Sequence, residues 1–239
     1  MAAVIRDISA DELHLFGDIV ARLQRLEPGA DARAAVLADV VRLVRGDFAG
    51  SYVWDPQKRR FEQALSINMD PDNLRRYDEW YQYHDPMTFG LRARRCATLV
   101  EEVMPRRELE RCEFYNDFLA RDGLHHGVNL FLFEKDRDLG DLRIWRARGR
   151  PEFGAREKGL LDALEPFLCR ALSTSGHPAA LTARELEIAV LIARGCTDRD
   201  ISRILGLGFS TVRTHIGNAM LKRGCANRAE LAASIARRV

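Results

Sequence analysis

The sequence contains no long apolar run and few cysteines, and these absences narrow the classes of protein that it can encode. The chain has 239 residues and five cysteines, none in a C-x-x-C pair. An odd, scattered set of thiols excludes a disulfide framework and supplies no zinc motif. No apolar segment approaches the roughly 18 residues that a membrane span needs, and the first residues lack a secretory signal pattern. We therefore expect a cytoplasmic protein without a membrane partner.

The sequence also lacks a catalytic motif. No Ser/His/Asp or Cys/His set has the spacing of a nucleophile and its base. The segment Gly206-Leu207-Gly208 has no preceding strand, which a phosphate-binding loop requires. His125-His126 follows Gly123 and is interpreted as part of a polar loop. We therefore expect no enzyme activity, no cofactor and no bound metal.

Charge is distributed unevenly along the chain. The formal net charge is +2, but residues 181–239 hold ten Lys and Arg against five Asp and Glu, a net +5. The first 180 residues consequently carry a net −3. A small basic unit on a slightly acidic body indicates a polyanion partner. The alternative is a solvated basic helical surface.

A linker is predicted over residues 173–180, where small and polar residues, Gly176 and Pro178 separate two helical patterns. It divides a first domain, residues 1–172, from a second, residues 181–239. In the first domain the alternation of apolar residues predicts five short strands. They span Phe48–Asp55, Arg60–Met69, Ala97–Val103, Gly127–Glu134 and Asp141–Ala147, with a hairpin loop at Lys135–Gly140.

Helical periodicity surrounds these strands and sets the fold class of the first domain. Helices are predicted over residues 8–26, 31–45, 70–83, 108–121 and 155–172. Strands joined by hairpins or single helices favour an α+β domain, an antiparallel sheet flanked by helices. This pattern resembles the GAF and PAS sensory modules.

The second domain carries the signals of four helices. Thr182 with Glu185, and Thr197 with Asp200, have the spacing of capping boxes at two helix starts. Gly206–Gly208 is a tight turn before a third helix over 209–223, and Asn227 with Glu230 opens a fourth. Two short helices joined by a glycine-bearing turn predict an all-α helix-turn-helix domain.

Residues 181–238 resemble the LuxR/FixJ-type DNA-binding domain along its full length. The matching segments are Leu181-Thr182-x-Arg184-Glu185, Ala193-x-Gly195, Ile201-Ser202-x-x-Leu205, Thr211-Val212-x-x-His215 and Asn227-Arg228-x-Glu230-Leu231. The resemblance implies a transcriptional regulator that binds double-stranded DNA, typically an inverted repeat, as a homodimer. It also implies contact with RNA polymerase if the regulator is an activator.

The same resemblance places the third helix of this domain in the DNA major groove. It implies that Thr211 and His215 lie near phosphates and that Arg213 and Thr214 contact bases or backbone. The full set of candidate DNA-binding residues is Thr197, Arg199, Ser210, Thr211, Arg213, Thr214, His215, Asn218 and Lys222.

Three residues depart from the family pattern. Gly208 stands at the usual serine cap, Asp198 at the usual asparagine, and Gly217 where a basic residue is common. Asp198 puts a negative charge where a phosphate is expected. In the family the fourth helix often carries the dimer contact, here over residues 228–235.

The first domain resembles the GAF-like sensory regions of LuxR-type regulators. The resemblance rests on Tyr77–Tyr83 followed by Asp85-Pro86, on Glu113–Leu119, and on the final hairpin and helix. We hypothesise that a small, partly apolar effector contacts aromatic residues of this domain, with Asp85 as a polar anchor. The candidate aromatic residues are Tyr52, Trp54, Tyr77, Trp80 and Tyr81. The competing interpretation is that these rings are core.

Other interpretations of the first domain remain open. Acyl-homoserine-lactone receptors share the Asp-Pro after an aromatic helix, but their Trp and Tyr positions hold Asp72 and Arg76 here. A regulator controlled by a protein partner, through a ligand-free interaction domain, is a second alternative. A sensory-fold enzyme fused to a DNA-binding tail is a third.

Overall fold

The structure is a computed structural model that describes residues 7–27, 29–174, 181–223 and 225–236. The chain divides into two compact units, Met1–Ser173 and Thr174–Val239. Most of the predicted linker lies outside the described residues, and Ser173 and Thr174 are the last residues of a helix rather than linker. No helix in the described ranges has the length and hydropathy to cross a membrane.

The first unit is built on a five-stranded antiparallel sheet. Its strands are β1 (Phe48–Asp55), β2 (Arg60–Ile67), β3 (Thr98–Leu99), β4 (His126–Glu134) and β5 (Arg137–Arg146). They lie in the order β2-β1-β5-β4-β3, with every neighbouring pair antiparallel. The predicted α+β class is confirmed.

Helices cover both faces of this sheet. They are α1 (Ala10–Gln24), α2 (Ala32–Leu43), α3 (Pro71–Arg76), α4 (Gln82–His84), α5 (Thr88–Arg94), α6 (Arg106–Leu109), α7 (Ala120–Asp122) and α8 (Ala155–Thr174). Two segments have the wider turn of a π-helix, namely π1 (Tyr77–Tyr81) and π2 (Phe114–Leu119). A single 3₁₀ turn, Val100–Glu102, follows β3.

The two faces of the sheet differ in chemistry because side chains alternate along each strand. On one face, Val128, Leu130 and Ile144 belong to an aliphatic core that also contains the buried residues of α1, α2 and α8. On the other face, Phe131 and Trp145 belong to an aromatic core that includes π1 and π2. The aromatic face is therefore the one that carries the predicted sensory residues.

Several predicted boundaries were wrong. The helix predicted over 70–83 is divided into α3, π1 and α4, and the one over 108–121 into α6, π2 and α7. The third predicted strand is reduced to Thr98–Leu99, because the Leu99 N–H donates to the Glu102 carboxylate (2.7 Å) and the chain turns. The hairpin loop predicted at 135–140 is only Lys135-Asp136, since β5 begins at Arg137.

The His125-His126 pair was also misassigned to a polar loop. Both side chains are buried, and His126 is the first residue of β4. The Tyr115 hydroxyl lies 2.6 Å from Nδ1 of His125. Burial, together with the positive charge of Arg106, lowers the pKa of His125 to about 4. The imidazole is therefore neutral at neutral pH.

The second unit is all-α, as predicted. It contains α9 (Ala183–Ala193), α10 (Asp198–Leu205), α11 (Phe209–Arg223) and α12 (Arg228–Ala236). Both predicted capping boxes are present, at Thr182 with Glu185 and at Thr197 with Asp200. Gly206 ends α10 in the left-handed conformation that glycine favours, and the turn to α11 follows directly.

Gly140 occupies a position in β5 that a side chain cannot share. Its φ is +127°, and a Cβ atom there would lie 2.9 Å from Cδ of Arg33 and 3.1 Å from the carbonyl oxygen of Tyr52. Gly17, in the exposed part of α1, would have no neighbour within 4 Å. The two glycines therefore differ in backbone strain and in available space.

We predict that Gly140→Ala lowers the free energy of unfolding of the first unit by about 2 kcal/mol or more. Gly17→Ala is the matched control and raises it by about 0.5–1 kcal/mol, because alanine loses less entropy in a helix. Urea denaturation followed by tryptophan fluorescence reports this unit, since Trp54, Trp80 and Trp145 all lie in it. Changes of the same sign in both variants would contradict the prediction.

Candidate DNA-binding face and candidate ligand cavity

Helix α11 has one buried side and one exposed side. Val212, Ile216 and Ala219 are buried in the core of the second unit. An exposed stripe follows at three- and four-residue spacing, which places its members on one helix face. It consists of Ser210, Arg213, Thr214, Gly217 and Asn218. No residue of α11 is acidic, so this face can approach phosphate without like-charge repulsion.

Ion pairs and hydrogen bonds hold the helix-turn-helix scaffold together. The Lys222 ammonium lies 2.6 Å from the buried Glu185 carboxylate and joins α11 to α9. Burial opposes ionisation of Glu185, but bonds from Lys222 and from the Thr182 N–H hold its pKa below the ordinary value. Arg184 donates to the Leu205 carbonyl (2.9 Å) and joins α9 to α10.

The candidate DNA-binding residues divide into those with partners and those without. Arg199, Arg213 and Asn218 are exposed and make no hydrogen bond or ion pair within the described ranges. Thr197 is used as the cap of α10, and the Thr214 hydroxyl donates to the Ser210 carbonyl (3.0 Å). Thr211 and Ser210 are exposed and His215 is half-buried. Lys222 forms an ion pair with Glu185 and so stabilises the fold of the second unit.

The departure at Asp198 is compensated within the unit. The Arg228 guanidinium pairs with the Asp198 carboxylate and also donates to the Cys196 carbonyl (2.5 Å). The negative charge expected near phosphate is therefore neutralised by α12. The apolar residues of this helix, Leu231 and Ile235, are buried in the unit's own core.

We predict that Arg213→Ala lowers affinity for duplex DNA about tenfold or more and leaves the melting temperature unchanged, because Arg213 is exposed and makes no hydrogen bond or ion pair with the described residues. The contrasting variant is Lys222→Ala, which leaves the buried Glu185 charge unpaired and destabilises the second unit by about 2 kcal/mol.

Fluorescence anisotropy with a duplex selected by the unaltered protein, and calorimetric melting of each variant, separate the two effects. The assignment of α11 is wrong if Arg213→Ala keeps full affinity while remaining folded.

A small cavity lies under the aromatic face of the first unit. Its volume is about 30 Å³, room for about two water molecules. Apolar side chains dominate its lining, and the other lining side chains carry polar atoms. It is lined by Gly50, Tyr52, Met69, Tyr77, Asp85, Met87, Thr88, Leu91, Phe114, Phe118, Leu119, Leu124, Asn129, Arg143 and Trp145.

The cavity gathers half of the candidate ligand residues. Tyr52, Tyr77 and Asp85 line it. Tyr81 is buried outside it, stacked on Phe118. The remaining two candidates, Trp54 and Trp80, also lie outside the lining.

Both tryptophans have identifiable surroundings elsewhere. Trp80 is 51% exposed and stacks on the ring of His84. Trp54 is half-buried and packs edge-on against Phe61 and Phe89. A ligand in this cavity would therefore not touch either indole in the arrangement described.

A buried ion pair that the sequence analysis missed lies beside the cavity, and its arginine forms the polar floor. The Arg143 guanidinium donates to the Asp141 carboxylate from Nε (2.9 Å) and from Nη2 (2.7 Å). Asp141 also accepts the backbone N–H of Tyr52 (2.8 Å). Arg143 reaches the Tyr77 hydroxyl as well. Burial alone would lower the pKa of Arg143, but the charge of Asp141 raises it above the ordinary value.

Asp85 is connected to this floor through Thr88. Its Oδ1 accepts the backbone N–H groups of Met87 (2.8 Å) and Thr88 (2.9 Å), and its Oδ2 accepts the Thr88 hydroxyl (2.6 Å). The predicted polar anchor is thus fixed at the entry to α5. The described residues contain no cluster of three or more His, Cys, Asp or Glu that could hold a metal ion.

Comparison with known proteins agrees with the geometry of the second unit. Residues 179–235 match the family model described as "Bacterial regulatory proteins, luxR family". The chain is also similar to the monoamine regulon transcriptional regulator of Klebsiella aerogenes. The two are 25% identical over 175 residues, which are 71% of this chain and 75% of that protein.

Solved structures share the fold at low sequence identity. The structure of SdiA in complex with octanoyl-rac-glycerol has a TM-score of 0.53 and 20% identity, and covers 96% of both chains. The GAF domain of a phosphoenolpyruvate-protein phosphotransferase from Coxiella burnetii has a TM-score of 0.51 and 11% identity over 68% of this chain and 92% of that one. The first unit therefore has a GAF-like fold, and the second is a helix-turn-helix domain of the luxR family of bacterial regulatory proteins.

Proposed function

We propose that this protein is a sequence-specific transcriptional regulator whose first domain binds a small molecule and thereby controls DNA binding. The observation that carries the proposal is the acid-free, exposed polar stripe of α11 on a luxR-family helix-turn-helix scaffold. The relative from Klebsiella aerogenes, a transcriptional regulator aligned over 71% of this chain, supports the same class of function.

In this proposal α11 enters the major groove, where a helix fits and base edges are distinguishable. Arg213 supplies the charged contact from the middle of the exposed stripe, and Arg199 adds a cation from α10. Both guanidinium groups have no partner in the described part of the chain. They can therefore bind phosphates or base edges without first breaking an internal bond.

The regulator would act as a homodimer on an inverted repeat, since two-fold protein symmetry calls for two related half-sites. Leu231 and Ile235 of α12 face the core of their own unit. A dimer contact through α12 would therefore use its opposite, exposed side, which includes Ala229 and Ala233.

The effector would bind in the cavity on the aromatic face of the sheet. The SdiA structure, which shares the fold, was solved in complex with octanoyl-rac-glycerol. The cavity is much smaller than the roughly 300–1,000 Å³ of a typical ligand site. Binding consequently requires lining side chains to move outward. Both π1 and π2 contribute lining residues, and π-helical turns are frequent at functional sites.

An acyl-homoserine lactone is less well supported as the effector. The positions at which lactone receptors carry Trp and Tyr hold Asp72 and Arg76. Asp72 is exposed on α3, and Arg76 donates to the Asp117 carbonyl and to Tyr81. Neither residue lines the cavity.

Recovery of genomic DNA fragments by the purified full-length protein tests the proposed function. We expect enrichment of a discrete inverted repeat by the unaltered protein and its loss with Arg213→Ala. Recovery at several salt concentrations distinguishes a specific site from general attraction to phosphate, whose strength falls steeply with salt. Equal recovery by both proteins, or no enrichment at low salt, would refute DNA recognition through α11.

A further inference from the structure

The Asn129 side chain is a buried hydrogen-bond donor that lacks an acceptor. It lines the cavity and is only 2% exposed. Its Nδ2 atom meets no acceptor in the ranges that the structure describes. An unpaired buried donor costs free energy, and native proteins contain few of them. The Nδ2 group of Asn129 is therefore available to donate a hydrogen bond to a bound molecule.

Three other polar side chains of the lining, Asp85, Arg143 and Tyr77, already have partners. Asp85 accepts three hydrogen bonds from Met87 and Thr88. Arg143 is held by Asp141, and the Tyr77 oxygen accepts from Arg143. Asn129 stands directly across from Arg143 in the β4–β5 ladder. Among the described residues, the Tyr52 hydroxyl also makes no hydrogen bond, but the Asn129 amide is the unpaired group that lies beside the satisfied ion pair.

The charges around the cavity oppose an ionic ligand of either sign. The Arg143–Asp141 pair is neutral as a unit, which leaves the negative charge of Asp85. That charge disfavours a carboxylate ligand. The Arg143 guanidinium carbon lies 4.4 Å from the Phe61 ring centroid and 4.9 Å from that of Tyr52. Because Arg143 itself lines the cavity, an ammonium ligand would meet a guanidinium of like charge there.

We propose that the cavity binds a small neutral molecule with a ring-sized apolar body and a carbonyl oxygen that accepts a hydrogen bond from Asn129 Nδ2. This inference rests on the proposed function, because it names the chemical class of the effector. The aromatic walls supply the contact area, and the unpaired donor of Asn129 supplies orientation. Asn129 is then the residue that determines the polar specificity of the site.

Three probes of nearly equal size test the head group: phenylacetamide, which is neutral, phenethylamine, which is a cation, and phenylacetate, which is an anion. The full-length protein carries Trp54→Phe and Trp80→Phe, so that Trp145 in the cavity wall is the only tryptophan. We expect saturable change of Trp145 fluorescence by phenylacetamide at millimolar concentration, as befits so small a ligand. Its affinity should exceed that of both charged probes by about tenfold or more.

Two substitutions test the role of Asn129 itself. Asn129→Leu keeps the approximate size, removes the donor, and should abolish binding of phenylacetamide. In the absence of a probe this variant should melt at the same or a higher temperature, because it removes an unpaired buried donor. Asn129→Ser keeps a hydroxyl donor and should bind phenylacetamide more weakly while still preferring it to the charged probes.

The outcomes separate this inference from the proposed function. Tighter binding of either charged probe, no binding of any probe, or unchanged binding by Asn129→Leu would overturn the assignment of a neutral carbonyl ligand. If Asn129→Leu fails to fold, loss of the amide preference in Asn129→Ser overturns it equally. Selection of DNA by the full-length protein is measured independently. If DNA selection fails while the probes bind as expected, the proposed regulator function is refuted and the ligand chemistry of the cavity is not.

Discussion

The buried pair of Arg143 and Asp141 is the interaction on which the first domain depends. The two residues are two positions apart in β5, so their side chains lie on the same face of the sheet. Asp141 also accepts a hydrogen bond from the backbone N–H of Tyr52 on the neighbouring strand. Arg143 is surrounded by aromatic rings and reaches Tyr77 in π1. One ion pair therefore joins the sheet to the π-helical layer above it. Without this pair, a charge would be buried among aromatic rings with no counter-ion.

Both units use ion pairs to join their elements, but the Arg143–Asp141 pair of the first unit is buried on both sides, whereas Lys222 and Arg228 of the second unit are partly exposed. In the second unit, Lys222 with Glu185 and Arg228 with Asp198 fix α9, α10 and α12 around α11. Lys222 and Arg228 are used in these pairs, whereas Arg213 is exposed on α11 and has no ion-pair partner in the part of the chain that the structure describes. In the first unit, Arg143 and Asp141 neutralise each other, and the uncharged amide of Asn129 faces the cavity. Under the two proposals, the exposed face of α11 would bind phosphate and the cavity would bind a neutral molecule.

Local signals predicted the second unit almost completely, because capping boxes and helix-ending glycines are contained within a few residues. The strands of the first unit were also predicted, but its cavity was only half predicted. Tyr77 and Trp80 share a face in an α-helix, whereas the wider turn of π1 buries Tyr77 and exposes Trp80. Asn129 meets Arg143 only through strand pairing, a nonlocal relation that residue spacing does not reveal.

A double-mutant cycle on the central ion pair tests this account most directly. The free energy of unfolding of the first unit is measured in urea for Asp141→Asn, Arg143→Met and the double variant. We expect each single change to cost about 3 kcal/mol or more, since it leaves a buried charge or its donors unpaired. The double variant should cost at least about 2 kcal/mol less than the sum of the two. Additive losses would show that the pair does not organise the domain.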